Sequence, residues 1–175
     1  MNLEQDKSLE RQTTIFLVWY ARRRNAPLLE ANTLLSLGEA ALMQAHYADA
    51  VRDYAAALAL YRQIDDRLGE ANALQGLGDA AQMQARYADA RGYLAQAFDL
   101  YDAIGMPAGT LRFAIYSANA ALDQAHRNPR RAEQAEALAR WLLSRAEQAN
   151  SQCDPAVAAA YIVRLQSLRL RIGTL

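Results

Sequence analysis

The chain is poor in the residues that many specialised functions need. Its 175 residues include one cysteine, Cys153, so neither an intramolecular disulfide nor a cysteine-based metal cluster is expected. The four prolines and the scarcity of β-branched runs favour an all-α fold. The apolar stretch at residues 15–21 is about a third of the length of a membrane span, and no apolar run in the chain exceeds eight residues. The polar N-terminus lacks the features of a secretion signal, so we predict a cytoplasmic protein without a membrane span.

Charge and chemistry exclude further classes of protein. The 19 basic and 19 acidic residues cancel, whereas a nucleic-acid-binding module is usually basic, so no nucleic-acid partner is expected. The two histidines, His46 and His126, stand at predicted helix ends, and no glycine-rich phosphate loop is present. No pair of histidines or acids has metal-ligand spacing with a matching third ligand. We therefore predict no enzymatic activity, no catalytic residues, no cofactor and no metal.

Residues 30–69 are repeated as residues 70–109. An alignment without gaps has 21 identities in 40 positions, and self-similarity at such a fixed period is typical of stacked repeat arrays. In each copy the apolar residues recur at spacings of three and four, which predicts two amphipathic helices. Gly38 and Gly78 stand at equivalent sites inside the first helix. Because glycine in a helix costs about 1 kcal/mol relative to alanine, we expect close helix packing there, with Gly38 crossing near Ala50.

Capping residues indicate where the helices begin and end. In the first copy, helices are predicted over residues 27–46, with Asn25 as the N-cap, and over residues 47–64. Asp65 and Asp66 are predicted to cap the first helix of the second copy.

The repeated residues resemble the tetratricopeptide signature. In the first copy the matching positions are Leu34, Leu37, Gly38, Ala41, Ala50, Tyr54 and Ala57. In the second copy they are Leu74, Leu77, Gly78, Ala81, Ala90 and Ala97, with Leu94 in place of the usual aromatic residue. The period of 40 is longer than the common 34 residues. It is similar to the extended variety found in kinesin light chains and in many bacterial regulatory proteins.

The resemblance implies an all-α fold, an α-solenoid of antiparallel helix pairs in a single domain of about eight helices. Its predicted parts are an N-terminal capping helix in residues 1–25, repeat 1 in 26–65, repeat 2 in 66–106, a degenerate repeat 3 in 107–149 and a C-terminal capping helix in 153–175. The N-terminal helix is predicted from about Leu3 to Arg24.

The resemblance also implies a concave groove, because the first helices of tetratricopeptide repeats line that surface. The implied groove residues are Asn32, Leu35, Glu39, Leu42 and Met43, then Asn72, Gln75, Asp79, Gln82 and Met83, and, less securely placed, Arg112, Ile115, Asn119 and Leu122. Amide side chains can pair with an extended peptide, methionines offer an adaptable apolar floor, and the two acids can attract a basic segment of a partner. The alternative is that Asn32 and Asn72 only solvate the surface. Because Leu35 and Glu39 replace residues of the family's terminal-carboxylate clamp, that clamp is not expected.

Three functions remain open from the sequence. The first is a non-enzymatic scaffold or adaptor that binds a peptide or helix of another protein in the groove. The second is a self-associating array, such as a homodimer, formed through Phe16, Trp19 and Tyr20 of the apolar first helix. The third is a regulatory sensing domain.

Overall fold

The computed structural model describes residues 16–173, and within this range the structure is helical, with one short 3₁₀ turn and no strand. The helices are α1 (its described part, residues 16–23), α2 Pro27–Met43, α3 Tyr47–Gln63, α4 Arg67–Met83, α5 Tyr87–Ala103, α6 Pro107–Arg127, α7 Ala132–Gln152 and α8 Pro155–Gly173. The prediction of an all-α fold with about eight helices is confirmed for this range. Residues before 16 in the predicted N-terminal helix, and residues 174–175 of the predicted C-terminal cap, lie outside it.

The chain divides into two compact units, Met1–Ala80 and Ala81–Leu175. The first unit contains α1 to α3 and most of α4, and its core is built from tyrosine and leucine side chains among alanines. The second unit contains the end of α4 and helices α5 to α8, and its core is built from leucine and alanine together with Phe98, Tyr87 and Tyr101.

The first five helices end in the same way. A residue with positive φ follows the end of each helix, at intervals of 20 residues: Asn25, Ala45, Asp65, Ala85 and Gly105. The next residue then donates its backbone N–H to a carbonyl five residues earlier, as His46 does to Ala41 at 2.9 Å. This pattern is the Schellman motif, which stops a helix and reverses the chain. The first helix of repeat 1 therefore ends at Met43 and not at His46 as predicted.

The same motif corrects two predicted caps and leaves a third in place. Asn25 belongs to the left-handed end of α1 with a φ of 50°, and the N-cap of α2 is Ala26, which makes no side-chain capping bond. Asp65 is likewise left-handed. Asp66, in contrast, accepts the backbone N–H of Gly69 at 2.9 Å and caps α4 as predicted.

A polar contact between residues eight apart joins successive helices at three equivalent places. In the first unit the Arg22 guanidinium pairs with Glu30, and Arg62 pairs with Glu70 at 2.7 Å. In the second unit Thr110 donates to Asp102 at 2.9 Å. Helix α1 therefore contacts the start of α2 through the same kind of ion pair by which α3 contacts the start of α4.

Helices α6 and α7 depart from the repeated pattern. Both are 21 residues long instead of 17, and the 3₁₀ turn Pro129–Arg131 joins them in place of a left-handed residue. They pack along each other, and α8 packs against both. Arg169 of α8 pairs with Glu147 of α7 at 2.6 Å, so the last helix is fixed by charge as well as by its two buried leucines.

Candidate functional site

Two tyrosines of α3 bring α2 and α4 together in the first unit. The ring of Tyr54 lies against Gly38 of α2 and Gly76 of α4, so closely that a Cβ at Gly76 would lie 2.5 Å from a ring carbon. The close contact that the sequence predicted at Gly38 is therefore made with an aromatic ring, whereas the prediction named Ala50. The ring of Tyr61 lies against Gly69 of α4 in the same way.

The hydroxyl of Tyr61 links this packing to a predicted groove residue. It donates a hydrogen bond to Asn32 Oδ1 of α2 at 2.8 Å. Burial, with smaller contributions from the negative charges of Asp66 and Glu39, raises the pKa of Tyr61 to about 12. The hydroxyl therefore keeps its proton and remains a donor at neutral pH.

We give the name α2–α4 face to seven of the predicted groove residues on the parts of these two helices that belong to the first unit: Asn32, Leu35, Glu39, Met43, Asn72, Gln75 and Asp79. On α2, Asn32, Glu39 and Met43 are exposed, and Met43 is exposed to 89%. Leu35, which stands between Asn32 and Glu39 in the sequence, is half-buried. Helix α2 thus presents an acid and a flexible apolar side chain to solvent.

The α4 members of the face are held more tightly by the fold. Asn72, Gln75 and Asp79 are all half-buried. The Gln75 amide donates to the Asp79 carboxylate, one turn along the helix. The two copies of the repeat therefore differ: the acid of α2 is exposed, whereas the acid of α4 is engaged inside the structure.

The remaining predicted groove residues belong to the second unit. Met83 is exposed and its sulfur accepts a hydrogen bond from Gln124 at 3.3 Å. Asn119 accepts a hydrogen bond from the Arg171 guanidinium of α8 and donates to the carbonyl of Ile115 at 2.9 Å. Leu122 is fully buried and Gln82 is exposed to only 1%, so the assignment of these two residues to a groove surface is wrong.

The residues predicted for self-association form an aromatic cluster on α1. Phe16 is exposed to 57% and Trp19 to 52%, with their ring centroids 5.7 Å apart. Tyr20, also exposed, stacks on Phe16 at 6.4 Å. The guanidinium of Arg23 lies over the Trp19 ring at 5.4 Å, so the cluster combines apolar and cationic surface.

The groups with reactive chemistry are dispersed. His126 Nδ1 lies 2.7 Å from the carbonyl of Leu122, and His46 is exposed at a helix end. Burial and the charge of Asp154 raise the pKa of the Cys153 thiol, which disfavours the nucleophilic thiolate. Within residues 16–173, no three histidine, cysteine or acidic side chains are grouped closely enough to hold a metal ion. No helix in that range is both long and apolar enough to cross a membrane.

Sequence reasoning missed a cleft between α6 and α8, which we call the α6–α8 cleft. Its lining residues are Arg112, Ile115, Tyr116 and Asn119 of α6 and Val163, Arg164 and Ser167 of α8. Arg112, Ile115 and Asn119 stand 80 positions after Asn32, Leu35 and Glu39. The α8 residues gave no such signal, because α8 starts at Pro155, which is 48 and not 40 positions after Pro107.

Comparison with known proteins agrees with this architecture. A family model described as the tetratricopeptide repeat matches residues 29–103, which contain nearly all of α2, all of α3 and α4, and α5. No curated protein and no solved structure matches the chain significantly.

Proposed function

The chain carries tetratricopeptide repeats over residues 29–103, and on this premise we propose that it is a non-enzymatic interaction module that binds a basic peptide or helix of a partner protein on the α2–α4 face. Such repeats are in general protein–protein interaction modules, because stacked helix pairs create an extended surface for a partner.

One observation carries the proposal: the exposed Glu39 and Met43 stand on a helix whose position is set by close packing. The Tyr54 ring fits only because Gly38 and Gly76 lack side chains, so α2 and α4 are held side by side. A surface that is already ordered loses little conformational entropy when a ligand binds. The first unit carries eleven acidic and eight basic residues, a formal charge of −3, which favours a basic partner.

The test uses a labelled basic peptide that contains leucine and measures its binding by fluorescence anisotropy. Glu39→Lys is expected to weaken binding by about tenfold or more, because it replaces an attraction with a repulsion. The combined variant with Asp79→Lys is expected to bind still less, although Asp79 has an internal partner. A matched control, Asp49→Lys with Asp65→Lys, reverses two acids of the same unit outside the face. Circular dichroism establishes that each variant keeps its helicity.

Equal binding by wild type and Glu39→Lys would show that the peptide does not bind on the α2–α4 face. Equal loss in the control variant would mean that only the overall charge matters. Either result contradicts the proposed function.

Self-association through α1 is a second candidate, favoured by the exposed rings of Phe16, Trp19 and Tyr20. Clustered aromatic rings are enriched at interfaces between proteins. Light scattering over a range of concentrations tests this candidate. It requires a homodimer that Trp19→Ala abolishes, and a monomer at every concentration contradicts it.

A further inference from the structure

The α6–α8 cleft in the second unit has a volume of about 530 Å³ and contains no acidic residue among its lining side chains. Arginines stand on both helices, Arg112 on α6 and Arg164 on α8. The second unit as a whole carries eleven arginines and eight acidic residues, a formal charge of +3. The cleft is therefore a positively charged site.

Neither arginine of the cleft has a carboxylate partner among residues 16–173. The Arg112 guanidinium lies over the ring of Phe113 at 4.4 Å, and that of Arg164 over the ring of Tyr161 at 5.4 Å. Their neighbour Arg171, in contrast, pairs with Asp123 at 2.6 Å. Both Arg112 and Arg164 are exposed, so their guanidinium groups are accessible for bidentate hydrogen bonds to a carboxylate.

Apolar side chains also line the cleft. Ile115 is exposed to only 5%, whereas Val163 is exposed to 73% and Tyr116 to 65%. Ser167 adds a hydroxyl. A cleft that combines apolar side chains with two unpaired arginines suits a ligand that carries both apolar and acidic groups.

The walls of the cleft are fixed before any ligand arrives. Arg171 of α8 is hydrogen-bonded to both Asn119 and Asp123 of α6. Leu165 and Leu168 of α8 are buried. A preformed cleft of this kind avoids much of the entropic cost of ordering a binding site.

We propose that the α6–α8 cleft binds an acidic segment of a partner protein. Carboxylate side chains of that segment pair with Arg112 and Arg164, and an apolar side chain between them packs on Ile115 and Val163. This site differs from the α2–α4 face in its helices and in the charge of its ligand. A peptide suits the cleft better than a nucleic acid does, because the apolar side chains have no counterpart in a phosphate backbone.

The test measures fluorescence anisotropy of a labelled peptide, acetylated and amidated, in which two glutamates flank a leucine. The same peptide with glutamine in place of glutamate is its control. Wild-type protein is expected to bind the glutamate peptide about tenfold more tightly than the glutamine peptide. Arg112→Gln with Arg164→Gln is expected to abolish this preference, since charge-assisted bonds to arginine are lost. Arg91→Gln with Arg140→Gln removes two exposed arginines of the same unit outside the cleft and is expected to change binding by less than about twofold.

Three results overturn the proposal: equal affinity for the two peptides, unchanged binding by the Arg112→Gln, Arg164→Gln variant, or binding of anionic lipid vesicles without the peptide. The proposal would also be overturned if the chain formed a dimer that only the Arg112→Gln, Arg164→Gln variant dissociates. That result would assign the cleft to a second copy of the chain. If the double variant loses helicity, peptide binding by the Ser167→Glu variant tests the proposal instead. That change puts a carboxylate into the cleft, and retained peptide binding would contradict the proposal. Glu39→Lys is expected to leave this binding intact, so the two sites are tested separately.

Discussion

The ring of Tyr54 occupies the space that a side chain at Gly38 would fill. A Cβ at Gly38 would lie 2.7 Å from two carbon atoms of the ring, and the ring is almost fully buried. Since Gly76 bounds the same ring from α4, the ring has little room to move. This contact explains why a helix that could hold alanine holds glycine.

Gly38→Ala is therefore expected to destabilise the protein by about 1–3 kcal/mol, the usual cost of overpacking a core. Gly92→Ala is the matched control, because Gly92 also lies inside a helix but has no neighbour within 4 Å of its would-be Cβ. That control is expected to stabilise the protein by up to about 1 kcal/mol through helix propensity. Urea unfolding measures both changes. Equal effects of the two substitutions would contradict the packing argument.

Ala45→Gly and Ala85→Gly are expected to stabilise the protein by about 1 kcal/mol each. Both alanines have positive φ, 58° and 56°, where a Cβ is strained and glycine is not. Gly105 already occupies the equivalent position in the chain. Ala40→Gly, an exposed substitution within α2, is the control and is expected to destabilise by a similar amount. The thermal midpoint and urea unfolding distinguish the two directions, and a loss of stability in Ala45→Gly would refute the prediction.

Arg62→Ala is expected to lower the free energy of unfolding by about 1–3 kcal/mol, because it removes one hydrogen-bond partner of the buried Glu70 carboxylate. Arg67 lies 3.6 Å from the same carboxylate and offsets part of the loss. The exposed pair of Arg86 and Asp89 is the comparison, and breaking it is expected to change stability by less than about 0.5 kcal/mol. A double-mutant cycle with Glu70→Gln measures the coupling. A coupling energy near zero would show that the contact is not a structural link.

Tyr61 is expected to make stability depend on alkaline pH. Burial, followed by the charges of Asp66 and Glu39, raises its pKa from an ordinary value of about 10 to about 12. The folded state thus favours the protonated hydroxyl, so its contribution is complete below about pH 10 and is lost as pH rises to about 12. Tyr61→Phe is expected to remove this part of the dependence. Ultraviolet titration of tyrosinate provides the check. Burial also raises the pKa of Tyr87, so Tyr61→Phe is expected to reduce the late-ionising signal by one tyrosine, and an unchanged late signal would rule out the assignment.

Much of the fold was predictable because helix formation depends on residues that are close together in the sequence. The spacing of apolar residues and the repetition of residues 30–69 were sufficient to predict the helices of both copies. The end of the first helix was placed three residues too late, because Ala45 has no side-chain signal for a left-handed conformation. The N-cap predicted at Asn25 is wrong for a different reason: asparagine suits both an N-cap and a left-handed helix end, and the sequence does not distinguish the two.

The candidate sites were less predictable than the helices. The phase of α2 and α4 indicated which residues share a face, and this required only the helical period. Equal phase did not imply equal environment, however, since Glu39 is exposed whereas Asp79 is held by Gln75. The binding role of these residues stays a prediction.

The sequence by itself determined that the chain is helical, that two copies of a forty-residue repeat are alike and that these copies resemble tetratricopeptide repeats, because helical period and repetition are properties of neighbouring residues. Only the tertiary structure decided that the Tyr54 ring lies against Gly38, and that Arg112 and Arg164 line one cleft. Those relationships join residues far apart in the chain, and side-chain packing between helices determines them.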